Sequence, residues 1–174
     1  PIFDAIHRVS GAPKYGALMK GDPGTENRQD DLMRDVAYRV IADHIRTLTF
    51  AITDGAMPGN EGRGYVLRRI LRRAVRYGSQ MLGAETGFLS RLVPTVVERM
   101  GGFFPELRGA AAKVEAAIKE EEIAFGRTLA RGIGHFDEAV VRAFTKARLT
   151  PHLQAAGAKV SSSRDAGGWT IDRK

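Results

Sequence analysis

The spacing of apolar residues along the chain predicts helices and little else. From residue 32 to 54, Ala37, Val40, Ile41, Ile45, Leu48, Ala51 and Ile52 recur at steps of three and four, the period of one helical face. Asp31 is placed to cap the start and Gly55 to stop the end. His44 lies on the same stripe and reads as a helix-packing histidine, since no second ligand sits at metal spacing. From residue 64 to 82 the pattern is two-faced. At about 100° per residue, Arg68, Arg69, Arg72, Arg73 and Arg76 share an arc of about 140°. Val66, Leu67, Ile70, Leu71, Ala74, Val75, Tyr77, Met81 and Leu82 fill the rest, one face for a core and the other for anions.

Further helices are expected over residues 1–9 and 88–100, where Pro94 either kinks the segment or marks the first turn of a shorter helix. Residues 110–144 predict one long helix or two in series. Their expected buried stripe is Val114, Ile118, Phe125, Leu129, Phe136, Val140 and Phe144; Gly132 and Gly134 are the expected break, and Thr150-Pro151 the end. Residues 10–31 are rich in Gly, Pro, Asp and Asn and read as loop. Residues 160–174 read as a frayed tail with one isolated tryptophan, Trp169. No stretch alternates convincingly as a strand. The fold class expected is all-α, a bundle of about five helices, with three parts: a junction and loop at 1–31, a helical domain at 32–149 and a divergent or disordered tail at 150–174.

Composition narrows the function. Of 174 residues, 43% are hydrophobic, enough for a core. The absence of cysteine removes disulfides, zinc–thiolate sites and cysteine nucleophiles together. No apolar run approaches the ~20 residues of a membrane helix. The first residues carry neither a basic n-region nor an initiator methionine, so the chain is expected to begin within a longer protein.

A net charge of +7 suits a polyanionic partner or a merely basic surface; its distribution is more informative. Five arginines on one helical face repel each other unless something anionic lies opposite. Three candidates remain at this level: phosphates, an acidic surface on another domain, or water and salt. Arginine suits phosphate because its planar fork engages two oxygens. The sparse aromatics, Tyr65 and Tyr77 on this helix, disfavour a binder of single strands. The glycine-rich loop over 55–64 lacks the Gly-Lys-Ser/Thr ending of a phosphate-cradling loop and follows no strand. His7, His44, His135 and His152 form no i+3 or i+4 pair, which argues against a helical metal site. Glu120, Glu121 and Glu122 read as a solvated acidic face, or as partners for Arg127. No residue is assigned a catalytic role.

Three ordered blocks carry a family resemblance. The segment Asp35-Val36-Ala37-Tyr38-Arg39-Val40-Ile41-Ala42-Asp43-His44 is the first. The second is Asn60-Glu61-Gly62-Arg63-Gly64-Tyr65-Val66-Leu67-Arg68-Arg69, running on to Arg76, and the third is Glu120-Glu121-Glu122-Ile123-Ala124-Phe125 with Thr128-Leu129-Ala130-Arg131-Gly132. Together with Pro1-Ile2-Phe3 at the front, they resemble the alanyl-tRNA synthetases over residues 1–141, in the helical part that follows the catalytic core. The resemblance implies a class II ligase that attaches alanine to its tRNA with ATP and Mg²⁺. This part would recognise a G·U wobble pair in the acceptor stem. Asn60 matches an asparagine that reads that pair, where its residue type alone would suggest a turn position. Arg63, Arg68, Arg69, Arg72, Arg73 and Arg76 are then expected to meet tRNA phosphates or the parent enzyme's catalytic domain.

Two departures accompany the match. Nothing resembles the class II catalytic motifs, so the chain alone is expected to be inactive. After Ala143, a Leu-Tyr-Asp-Thr-Tyr-Gly-Phe-Pro-type block and a nearby aspartate partner for the wobble pair are expected and do not occur. No cofactor is expected in this chain: ATP and Mg²⁺ belong to the parent's catalytic domain, and zinc to its editing domain. The expected compartment is the cytoplasm, with mitochondrion and plastid as alternatives. A scaffold that docks a catalytic domain through its arginine face, or a truncated product without function, are the competing readings.

Overall fold

The structure is a computed structural model that describes residues 1–155, 159–162 and 169–172. It is built of helices in the order α1 (Ile2–Ser10), α2 (Gln29–Thr53), α3 (Gly62–Leu82), α4 (Val93–Met100) and α5 (Glu106–Ala155), with short 3-10 turns at Thr25–Asn27 and Ser90–Leu92. Two strands, β1 (Lys159–Ser162) and β2 (Trp169–Asp172), close the order. The all-α expectation of about five helices holds. The chain separates into two compact units, Pro1–Leu129 and Ala130–Lys174.

In the first unit the periodic stripes meet as one core. Tyr38, Ile41, Ile45, Leu48 and Ile52 of α2 are fully buried, and so is Leu71 of α3. Leu67, Ala74 and Val75 of α3 join the same cluster, with Ile6 of α1, Val93 and Val96 of α4, and Val114 and Ile118 of α5. Each such valine, leucine or isoleucine side chain contributes about 1.5–3 kcal/mol by leaving water. Val66 and Met81, expected on the buried side of α3, are 54% and 40% exposed, because they fall at the margins of the apolar arc.

Glycines set two close approaches. Gly78 of α3 lies against the ring of the buried Phe88, where a Cβ would come within 2.1 Å of the ring. Gly83, with φ 63°, then ends α3 in the left-handed conformation that glycine adopts at no steric cost.

The loop over residues 11–28 is tied to α2 by a buried carboxylate. Asp35 accepts hydrogen bonds from the Gly16 amide (3.0 and 3.1 Å) and the Leu18 amide (2.8 Å). The Tyr38 hydroxyl donates to the Pro13 carbonyl at 2.8 Å. α2 starts earlier than expected: Asp31 lies inside its first turn rather than at the cap, paired with Arg28 and Arg34. A carboxylate there still favours the positive end of the helix. Pro94 occupies the first turn of α4, where its missing N–H is not needed.

α5 corrects three expectations. It runs unbroken through Gly132 and Gly134, because two glycines cost a helix only about 1 kcal/mol each beside good helix formers. It continues past Thr150-Pro151 to Ala155, giving up the hydrogen bond that a proline nitrogen cannot donate. Its stripe is buried at Val114 and Ile118 and partly at Phe125 and Leu129, but in the second unit Val140 is only half-buried and Phe136 and Phe144 are each 67% exposed. The 3.6-residue period thus continues beyond the packed part of the helix. Also in the second unit, β1 and β2 pair antiparallel, with Val160 opposite Ile171 and Ser162 opposite Trp169. That pairing was not anticipated from the sequence.

Candidate nucleic-acid interface

The loop before α3 is closed onto the helix it precedes. The Gly59 amide donates to the Gly64 carbonyl at 2.9 Å. Gly64 packs so tightly on the Met57 carbonyl that a Cβ would come within 2.6 Å of that oxygen. Gly62 takes φ 53°, turning the chain into the helix. Asn60 sits exposed on this loop, two residues ahead of α3.

The arginine face of α3 divides in two. Arg68 and Arg72, one turn apart, both reach Glu121 of α5. Arg68 donates through Nε to Oε2 at 3.1 Å and through a terminal nitrogen at the same distance. Arg72 donates to Oε1 at 2.8 Å through Nε and 2.7 Å through its terminal nitrogen. Both oxygens of one carboxylate are thereby clamped by two guanidinium forks. The Glu121 side chain is only 10% exposed, so the pairing takes place largely out of water. Arg72 also stacks over the Phe125 ring at 5.1 Å. The remaining terminal nitrogen of Arg68 donates to the side-chain oxygen of Asn60.

The other side of the face turns outward. Arg69, Arg73 and Arg76 are exposed, and so is Arg63, which lies in the first turn of α3 off the arginine arc. Arg69 lies over the Tyr65 ring and Arg73 over the Tyr77 ring, each at 5.7 Å, and Arg76 donates to Gln80 at 2.8 Å. None of the four has a carboxylate partner among the described residues. Cation–π stacking holds the Arg69 and Arg73 guanidiniums over their rings without neutralising them.

The acidic run of α5 is not the solvated face expected from its composition. Only Glu120 faces solvent. Glu121 holds the two arginines, and Glu122 is fully buried. Glu122 accepts from the amides of Leu89 (3.2 Å) and Ser90 (3.4 Å), satisfying the N-terminus of the 3-10 turn that leads into α4. Burial pushes its carboxyl above the ordinary carboxylate range, and the backbone donors and Arg91 oppose that only in part. Arg127 pairs with no glutamate of the run among the described residues. His44 is 15% exposed; burial lowers its pKa against the raising effect of its hydrogen bond to Asp43, which fits a packing role.

Sequence reasoning missed Glu121 as the partner of Arg68 and Arg72, and Glu122 as a buried acceptor of backbone amides. The only available signal was the run's place one helical turn from Phe125 on a stripe that is buried. The arrangement is a loop bearing an exposed side-chain amide beside a helix with an open cationic flank.

The sequence matches a known class. A family profile described as "tRNA synthetases class II (A)" covers residues 1–154, and the chain belongs to that family. Among its relatives, the cytoplasmic alanine–tRNA ligase of Dictyostelium discoideum is 52% identical over 141 residues, 80% of this chain and 14% of that protein. The alanine–tRNA ligase of Schizosaccharomyces pombe is 45% identical over 173 residues, 99% of this chain and 17% of that protein. The mitochondrial alanine–tRNA ligase of Mus musculus is 47% identical over 142 residues, 82% of this chain and 14% of that protein. The chain thus spans about one-seventh of the curated relatives it matches. No helix of the described residues is long and apolar enough to cross a membrane.

Proposed function

We propose that this chain is the helical acceptor-stem-recognising part of an alanine–tRNA ligase, lying after the catalytic core of the parent enzyme. The observation that carries the reading is that one loop-and-helix unit bears both an exposed asparagine and exposed arginines without carboxylate partners among the described residues. A duplex RNA stem offers phosphates at its edge and base edges in its shallow minor groove. Arg63, Arg69, Arg73 and Arg76 meet the phosphates. Asn60 accepts from the exocyclic amine that a guanine in a G·U pair leaves unpaired. Its oxygen has two lone pairs, and Arg68 takes one of them. Arg68 and Arg72, already paired with Glu121, support the site rather than contact the backbone.

On this reading the chain by itself does not activate alanine. ATP, Mg²⁺ and the zinc of an editing domain belong to parts of the parent ligase outside it. Among the described residues no three His, Asp or Glu side chains gather as metal ligands. The compartment follows the parent, cytoplasmic as in the Dictyostelium relative or mitochondrial as in the mouse one.

The test is binding of this chain to a hairpin RNA that reproduces the acceptor stem, with G·U or G·C at the wobble position. Tighter binding of the G·U stem, with affinity falling as salt rises, is expected. Equal affinity for the two stems would overturn the base-reading role, and salt-insensitive binding would overturn the phosphate role.

A further inference from the structure

The geometry points to Glu121 as a positioning residue that sets base discrimination through Arg68 and Asn60. This rests on the reading of Asn60 as the base reader and deepens it. The link is a chain of hydrogen bonds that uses each nitrogen of one guanidinium. Arg68 commits Nε and one terminal nitrogen to Glu121, both at 3.1 Å. The other terminal nitrogen meets the Asn60 oxygen. A guanidinium is planar and its donors diverge at fixed angles, so anchoring two of them aims the third. Glu121 is itself immobilised, because its second oxygen is held by Arg72 at 2.7 and 2.8 Å and its side chain is 10% exposed.

The consequence for Asn60 is a fixed amide orientation. An asparagine on an exposed loop rotates freely, presenting either its oxygen or its NH₂ to a ligand. With Arg68 aimed at it, the flipped amide would place donor against donor. The bond therefore fixes which edge of the amide is acceptor and which is donor. The distinction between a guanine amine that is free, as in G·U, and one that is paired, as in G·C, depends on an acceptor held at a defined place. Glu121 touches no RNA in this scheme and acts two residues removed.

The test separates this inference from the reading beneath it. Affinities of the G·U and G·C hairpins are measured for the wild-type chain, Asn60→Ala, Glu121→Gln and the double variant, with thermal melts to confirm folding. Asn60→Ala is expected to lower the G·U preference by about fivefold, the worth of one hydrogen bond. Glu121→Gln is expected to lower that preference by about threefold or more, while affinity for the G·C stem is unchanged or rises as two arginines are released. Glu121→Asp, which keeps the charge, is expected to recover part of the preference. In the Asn60→Ala background, Glu121→Gln should bring no further loss. Arg68→Lys serves as the second variant should Glu121→Gln fold poorly: one ammonium keeps the charge but cannot hold both partners in one plane, and the preference should fall likewise. If Asn60→Ala lowers the preference but Glu121→Gln and Arg68→Lys leave it at the wild-type value, the positioning role is overturned and the base-reading role stands. If Asn60→Ala itself leaves the preference unchanged, the base-reading role fails, and this inference with it.

Discussion

The two sides of the α3 arginine face are alike in sequence and opposite in circumstance. Arg68 and Arg72 share one buried carboxylate and lie 22% and 40% exposed. Arg69, Arg73 and Arg76, set further round the same helix, meet aromatic rings, an amide and water. The first pair holds the protein together; the second set keeps its charge for something else. An arginine-rich face is therefore not one functional unit. What stands opposite each residue decides whether its charge is already used.

Breaking the paired side should cost the most. Glu121→Ala leaves two guanidiniums facing each other without a counter-charge and is expected to lower stability by about 2 kcal/mol, less than for a fully buried pair because water screens the arginines. Chemical denaturation measures this, and an unchanged midpoint would show that the clamp contributes nothing. Next comes Arg72→Ala, which removes one fork and the stacking on Phe125 and should cost about 1 kcal/mol. The same truncation at Arg73 should stay within about 0.5 kcal/mol, as for other surface positions. Equal losses at Arg72 and Arg73 would erase the distinction between the two sides.

In RNA binding the order reverses. Arg73→Ala and Arg76→Ala should each reduce affinity for G·U and G·C stems alike and lower the salt-dependence slope by roughly 0.7–0.9 for each phosphate left without its arginine. Arg72→Ala should leave the slope nearly as it was. A titration series at several salt concentrations decides it, and a reduced slope for Arg72→Ala instead would assign phosphate binding to the paired side.

The smallest effect expected is that of pH, and it concerns the neighbouring glutamate. Burial raises the Glu122 pKa above its ordinary value of 4.5. The folded state therefore holds that proton more tightly than the unfolded chain does. The contribution is fully present below the unfolded value and is lost as pH rises through the raised one. The stability difference between wild type and Glu122→Gln should accordingly shrink, or turn against wild type, as pH rises from the ordinary value of 4.5 through the raised one. A constant difference across urea melts in that range would mean that Glu122 ionises as freely as it does in water.

The fold was largely readable because helices write their own period. The leucine and arginine stripes of α3 and the isoleucine stripe of α2 lie where the spacing puts them. Two kinds of fact left no such trace. The Glu121 clamp joins residues 53 and 49 positions apart in the chain, and a local pattern does not record what packs across that distance. Conversely, Phe136 and Phe144 keep the helical period of a buried stripe while lying exposed, since period reports a face and not its partner. Of the candidate site, the arginine arc was legible in the helical period, and Asn60 only through family resemblance. Its division into a held side and an open side needed coordinates.

The closure of the loop at Gly59 and Gly64 has a kinetic consequence. A recognition loop that must fold around its target adds a slow step after encounter. Here the loop is already sewn to the first turn of α3 by a 2.9 Å hydrogen bond and an approach too close for any side chain. Association with an RNA stem should then proceed in a single phase whose rate follows collision and electrostatic steering, leaving affinity differences between stems to appear in how long each stays bound.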